Sequence, residues 1–384
     1  MNLTANWSYP TAIKFGAGRI AELPDLCRAA GITRPLLVTD RMLADLPITL
    51  TTLARLEAAG LGRALFSDVD PNPNEGNMQA GLTAYRAGDH DGVVCFGGGS
   101  ALDLGKMIAL MVDQPVPVWE LEDIGDWWTR ANPDTIAPII AVPTTAGTGS
   151  EVGRAGVLTN SDTHQKKIIF HPKLLPTYTI CDPELTMGMP RAITAGTGMD
   201  ALAHCLEAYC SPHYHPMSQG IALEGMRLVL ENLPRAYATP DDLQARAHMM
   251  SAAAMGAVAF QKGLGAIHSL SHPIGAVYNT HHGTTNAVVM PMVLDFNRPA
   301  IEDRIARAAR YLGIDDGFDG FRARVMSLRA DLKIPGNLAA MGVEESRLDE
   351  LTEMALADPS CGGNPVEMTQ ANTRALFQAA MSDA

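Results

Sequence analysis

Long apolar runs are missing from this chain. No segment is apolar for long enough to span a bilayer, and the opening "MNLTANWSYPTAIKFG" has no apolar core of the kind a secretory leader carries. Positive charge is also scarce: 29 Lys and Arg stand against 42 Asp and Glu, a formal net charge of −13. That balance argues against nucleic acid or an anionic membrane as the main partner and leaves room only for a small local site for a phosphate. Cys27, Cys95, Cys181, Cys205, Cys210 and Cys361 form no C-x-x-C pair and are too sparse for a disulfide framework. A reducing cytoplasm is the expected location. Internal repeats and low-complexity segments are absent as well.

What is present reads as an ordinary globular chain. It has 384 residues, 47% of them hydrophobic and 18% charged, enough for two domains with substantial cores. "PLLVTD" (35–40), "RALFSDV" (63–69), "DGVVCFGGGS" (91–100), "APIIAVPTT" (137–145) and "TYTICDP" (177–183) read as strands ending in turn or ligand residues. Helical stretches such as "LTTLARLEAAG" and "ALDLGKMIALMV" lie between them. Strand and helix alternating in this rhythm predict a mostly parallel sheet covered on both faces. After "DPELTMGMP" every patterned segment repeats at helical period, from "AITAGTGMDALAHCLEAYC" to "RIARAARYLG". The expectation is an α/β domain over residues 1–189 and an all-helical domain over 190–384.

Three places in the first half invite a ligand. "CFGGGSALDLGK" follows an apolar strand and opens a helix; its glycines let backbone approach a ligand, and amides at a helix start attract phosphate. It is neither the spaced G-x-G-x-x-G fingerprint nor a Walker A loop, and Ser100 and Asp103 also suit a helix cap. "VPTTAGTGSE" puts hydroxyls and glycines at the carboxyl end of another strand, where open α/β sheets bind ligands. Asp40 closes "PLLVTD"; an acid there accepts from a ribose diol and repels a 2′-phosphate, favouring NAD over NADP, although Arg41 follows directly and would blunt that preference. Asp40 also suits a helix cap.

In the second half, "GMDALAHCLEAYCS" sets Asp200 and His204 four apart, on one face of an apolar helix. "GLGAIHSLSHPIGAVYNTHHGTTNA" adds His268, His272, His281 and His282. A lone histidine on an apolar face is usually a satisfied core residue, and a buried ionised carboxylate without a partner costs several kcal/mol. A divalent cation removes that difficulty, and a carboxylate with neutral imidazoles suits Fe²⁺ or Zn²⁺ rather than Ca²⁺ or Mg²⁺. Spacing leaves the choice between His281 and His282 open. Glu207, one turn beyond His204, is placed to orient a ligating histidine. His213 and His215 in "SPHYHP" form another pair, in a proline-bounded turn that reads as surface.

At this point the chain resembles the iron-containing (group III) alcohol dehydrogenases. The likeness runs in order through "YPTAIKFGAGRIAEL", "DPNPN", "GGGSALDLGK", "PTTAGTGSEV", "KKIIFHPKLLP", "DPEL", "GMDALAHCLEAYCS" and "HSLSHPIGA…HHGTTNA" to "GNP". It implies a Rossmann-like dinucleotide-binding domain followed by an all-α metal-binding domain, and a homodimer. By position it implies metal ligands at Asp200, His204, His268 and His282, the last because the family's ligand directly precedes the glycine. It implies a non-ligand histidine near the substrate at His272, and cofactor positions at Asp40, Asn72, Gly98, Gly99, Ser100, Asp103, Thr144, Thr145 and Lys166. The implied chemistry is a cation, Fe²⁺ or Zn²⁺, that lowers the pKa of a bound small alcohol. Hydride passes to NAD or NADP, and His272 relays the proton. Competing readings are a zinc polyol dehydrogenase, a maleylacetate-reductase-like enzyme, a dehydroquinate-synthase-like lyase, a metal-dependent hydrolase and a non-catalytic binding protein. The pair Trp127–Trp128 belongs to no family motif.

Overall fold

The computed structural model describes residues 5–7, 11–163 and 165–383. Tyr9 and Pro10, where the family likeness begins, lie outside them, as do residues 1–4 and 8 of the opening stretch read as lacking a leader. The chain forms two compact units, one of residues 1–145 with 149–188, the other of 146–148 with 189–384.

The first unit is built on strands β1 (Ala5–Trp7), β2 (Ala12–Phe15), β3 (Pro35–Val38), β4 (Leu65–Phe66), β5 (Gly92–Gly97) and β6 (Ile139–Pro143). A hairpin, β7 (Ala155–Asn160) with β8 (Gln165–Phe170), precedes β9 (Tyr178–Cys181). The main sheet has the order β1-β2-β9-β6-β5-β3-β4, parallel throughout except for β1, which runs antiparallel to β2. Helices α1 (Leu23–Ala29), α2 (Pro47–Ala58), α3 (Glu75–Ala87) and α4 (Gly99–Leu110) make the crossovers. β3, β5 and β6 are buried along their whole length, which is why they read as unbroken apolar runs.

Alternate side chains feed two cores. Leu36, Val38, Val93 and Cys95 pack with Met78, Leu82, Leu104 and Ile108 from α3 and α4. Leu37, Val94, Phe96, Ile140 and Val142 pack with Leu23, Leu26, Leu53 and Leu56 from α1 and α2. The five strands expected from sequence correspond to β3, β4, β5, β6 and β9. β1, β2 and the β7–β8 hairpin carry no such signal: β2 and β7 alternate buried with half-exposed side chains instead of forming an unbroken apolar run.

Trp127 and Trp128 belong to this unit. The Trp128 ring meets Phe170 and His171 edge-on at 6.4 and 5.8 Å, and the Arg130 guanidinium lies 4.1 Å from the Trp127 ring.

The second unit holds α5 (Arg191–Cys210), α6 (Pro216–Ala238), α7 (Leu243–Ala259), α8 (Ala266–Tyr278), α9 (His282–Tyr311), α10 (Gly317–Asp331), α11 (Leu348–Ala357) and α12 (Gln370–Ala380). Among the described residues it contains no strand, and no helix among the described residues of either unit is long and apolar enough to cross a membrane. Every residue of α5 from Thr194 to Cys210 is buried. It packs against α6, α7 and α9 and forms the axis of the unit.

A buried cation pins α4 to the segment that follows β6. Lys106, 0% exposed, donates through Nζ to Ser150 O, Ser150 Oγ, Gly153 O and Ala155 O at 2.5–3.0 Å. Burial pulls the Lys106 amine down while Asp103 opposes it; burial likewise pushes the Asp103 carboxyl up, with Lys106 opposing. Lys106→Met strands three carbonyls in the core, and we expect a loss of about 3 kcal/mol of stability. The shift of the urea midpoint of the first unfolding transition checks it.

Candidate metal centre

α5 presents Asp200 and His204, four apart and both buried, toward α8 and α9. α8 is preceded by Gly265, which has no side chain with which to cap it. Its first amides are instead taken from outside: Ala266 N–H donates to Asn364 Oδ1 at 3.1 Å and Ile267 N–H to Glu207 Oε1 at 2.6 Å. Glu207 thereby docks α8 against α5 and uses its second oxygen, Oε2, on His268 Nδ1 at 2.5 Å. That bond turns His268 Nε2 toward Asp200. α9 opens with His282 and Gly283, where a Cβ at position 283 would meet Gly196 O at 2.1 Å and Asp200 Cβ at 2.9 Å. Only glycine lets α9 approach α5 so closely, and the approach sets His282 beside Asp200.

The result is a convergence on one oxygen. Nε2 of His204, His268 and His282 lie 3.8, 3.7 and 3.5 Å from Asp200 Oδ1. Asp200, His204 and His268 form the tightest group, with ligand atoms within 4.8 Å of one another; His282 stands outside that group and is 29% exposed. The His204 ring stacks on His268 at 4.7 Å and rests on Phe260 at 5.1 Å. Burial alone would raise Asp200, but the imidazoles of His204, His282 and His268 outweigh it and hold the carboxyl far below the usual range. Burial pulls His204 down to about 4. It pulls His268 the same way, yet Glu207 and Asp200 prevail and raise it to about 9. Two buried carboxylates around a set of imidazole nitrogens make a pocket that calls for positive charge. One carboxylate and three imidazoles fit Fe²⁺ or Zn²⁺.

His281 is placed differently. Its Nδ1 accepts from Thr284 N–H at 3.3 Å, capping α9, and its ring packs over Gly196. His272 Nδ1 pairs with Asp358 Oδ2 at 2.7 Å, and its ring stacks on His282 at 5.2 Å and 18°. His215 caps α6 and His213 is exposed, apart from this cluster.

Two residues of the cluster escaped the sequence reading. Asn286 Nδ2 donates to Asp200 Oδ1 at 2.8 Å and lies 3.2 and 3.3 Å from Nε2 of His268 and His282; its position one turn beyond His282 was the available signal. Asp358 opens the turn "DPSCGG", where its Oδ1 also accepts from Ser360 N–H at 2.8 Å. Nothing local ties it to a histidine 86 positions away.

In the first unit, Asp40, Gly98, Gly99, Ser100, Thr144 and Thr145 follow the carboxyl ends of β3, β5 and β6. Gly97, φ +148°, ends β5, and a Cβ there would lie 2.8 Å from Ala101 Cβ. Gly98 caps α4 without a side chain, so no cap occupies the amides of Gly99 and Ser100 at the helix start, the donor set a phosphate needs. Ser100 Oγ donates to Pro71 O at 2.6 Å, next to Asn72. Thr144 N–H donates to Gly97 O at 2.9 Å, and Thr145 borders Gly98. Asp40 Oδ1 accepts from the amides of Met42 and Leu43 at 2.9 and 3.0 Å. Asp103 is buried, with Oδ1 on Ser150 Oγ at 2.6 Å and Oδ2 on Val157 N–H at 3.1 Å, so both of its oxygens serve the fold of this unit. Lys166 lies on β8, opposite Thr159.

Comparison with known proteins matches two family models. Residues 10–183 match the iron-containing alcohol dehydrogenase model, and residues 194–381 its C-terminal domain. A 4-hydroxybutyrate dehydrogenase of Cupriavidus necator is 40% identical over 383 residues, covering 97% of this chain and 99% of that protein. The crystal structure of a 1,3-propanediol oxidoreductase superposes with a TM-score of 0.91 at 36% identity, covering 96% of this chain and 97% of the other. A sulfoacetaldehyde reductase from Bifidobacterium kashiwanohense in complex with NAD⁺ gives 0.87 at 30% identity, with 99% and 98% covered.

Glu207 offers a test that leaves all four candidate ligands in place. Glu207→Gln keeps an acceptor for Ile267 N–H but none suited to His268 Nδ1–H. We expect metal affinity to fall about 10- to 100-fold, read by competition with a chromophoric chelator.

Proposed function

The chain belongs to the iron-containing alcohol dehydrogenase family and is an oxidoreductase acting on small alcohols and aldehydes; from that premise we propose that Asp200, His204, His268 and His282 hold its cation. The observation that carries the reading is the approach of three imidazole Nε2 atoms to within 3.8 Å of a single buried carboxylate oxygen. When bound, the cation supplies Lewis acidity toward the alcohol or carbonyl oxygen, and the nicotinamide accepts or donates the hydride.

The protein's own groups do the rest. Asp200 supplies the negative charge, and Glu207 holds His268 in the tautomer whose Nε2 is a ligand. Asp358 holds His272 by Nδ1, leaving Nε2 as the nitrogen that takes the substrate hydroxyl proton and passes it on. In the first unit the amides of Gly99 and Ser100 receive the pyrophosphate, and Asp40 receives the ribose diol. Asn72, Gly98, Asp103, Thr144, Thr145 and Lys166 complete the nucleotide site, Asp103 by holding its frame. Asp40 favours NAD over NADP.

Family membership favours Fe²⁺. The donor set also accepts Zn²⁺, which the Irving–Williams order places above iron. The relatives named for 4-hydroxybutyrate and 1,3-propanediol make short primary alcohols with a second polar group the first substrates to assay. A homodimer is the assembly we propose, since closed two-fold pairs are the commonest. The six unpaired cysteines suit a cytoplasmic enzyme.

Metal content per chain after anaerobic Fe²⁺ loading tests the ligand set. Alanine at Asp200, His204, His268 or His282 should each abolish stoichiometric retention, while His281→Ala keeps it. His272→Ala should keep the metal and lower turnover about 100-fold or more. If His282→Ala retains metal and His281→Ala loses it, the ligand register is wrong by one residue.

A further inference from the structure

β3 and β4 are parallel neighbours, Val38 opposite Phe66, and Thr39 N–H donates to Phe66 O at 3.0 Å. The residues after each strand therefore emerge side by side: Asp40 and Arg41 from one, Asp68 and Asp70 from the other. Arg41 Nη1 donates to Asp70 Oδ1 at 2.7 Å, and Nη2 to the Asp68 carboxylate. The pincer is anchored from below. Asn77 on α3, buried, donates through Nδ2 to Asp70 Oδ2 and to Asp68 O, both at 3.1 Å. The same loop reaches the glycine turn through the Ser100–Pro71 bond.

We propose that Asp68 and Asp70 are specificity-determining residues that exclude NADP by holding Arg41 away from a 2′-phosphate. The inference rests on the reading that the carboxyl ends of β3 and β5 bind a nicotinamide nucleotide with its ribose diol at Asp40. An arginine directly after that acid would otherwise recruit the extra phosphate, because its planar fork matches phosphate oxygens. Here both terminal nitrogens are already committed to carboxylates. Arg41 is 58% exposed, so each pair is weak singly. Selectivity comes from the two acting together on one cation that Asn77 keeps in register.

The test measures dissociation constants for NADH and NADPH by nicotinamide fluorescence on the full-length protein. Asp68→Asn with Asp70→Asn keeps side-chain shape and an acceptor for Asn77 while releasing Arg41. The NADPH-to-NADH affinity ratio should rise about tenfold, and each single variant should give part of that rise. Adding Arg41→Ala to the double variant should abolish the gain, and Arg41→Ala alone should leave the ratio near its starting value. A gain of equal size without Arg41 overturns the proposal, since the acids then act by direct repulsion. So does a large fall in the ratio for Arg41→Ala alone, or an unchanged ratio in the double variant. Wild-type protein that binds neither nucleotide overturns the nucleotide reading itself and the proposal with it.

Discussion

A carboxylate sits on the most buried helix of the protein, and the second unit is arranged around it. Asp200 cannot be solvated in the middle of α5, where all residues from Thr194 to Cys210 are buried. An ionised acid in such a place costs several kcal/mol unless positive charge and donors reach it. Three imidazoles and the Asn286 amide do so, from α5, α8 and α9. Each arrival depends on a separate packing device. Glu207 substitutes for the cap that Gly265 cannot provide and so fixes α8; the Gly196–Gly283 contact brings α9 within reach. The packing of the helices and the chemistry of the site follow from the same constraint.

The first unit works on the opposite principle. Its central strands are buried on both faces and carry no functional side chains along their length. Polar residues gather instead where the strands end, as β3, β5 and β6 release Asp40, the glycine turn and Thr144–Thr145. Lys106 and Asp103 show how much of the polarity near that edge is structural: their partners are Ser150, Gly153, Ala155 and Val157, all within the unit. A conspicuous acid near a glycine turn is not necessarily one that faces a ligand.

Much of this was legible in the sequence because the physics involved is local. Parallel strands covered on both sides must be apolar throughout, so β3, β5 and β6 declare themselves. A helix places positions four apart on one face, which exposes Asp200 and His204 as a pair. What escaped depends on contacts between distant positions. Asp358 meets His272 across 86 positions, and Asn286 reads as one more polar residue until Asp200 is seen beside it. Residues 146–148 read as part of the strand-end loop, yet they pack with the second unit, where a Cβ on Gly147 would strike Thr197. The β7–β8 hairpin was hidden by its half-exposed alternation. Arg41 was visible as a complication for Asp40, but its two carboxylate partners lie 27 and 29 positions away and needed the register of β3 and β4 to appear.

The central claim is that the buried carboxylate exists to share one cation with three imidazoles. X-ray absorption fine structure on protein loaded anaerobically with one equivalent of Fe²⁺ tests this most directly, because imidazole rings give a multiple-scattering signature that can be counted. The expected first shell contains three imidazole nitrogens and carboxylate oxygen, with no sulfur. A shell with fewer than two imidazoles, or one dominated by sulfur or water, would contradict the account.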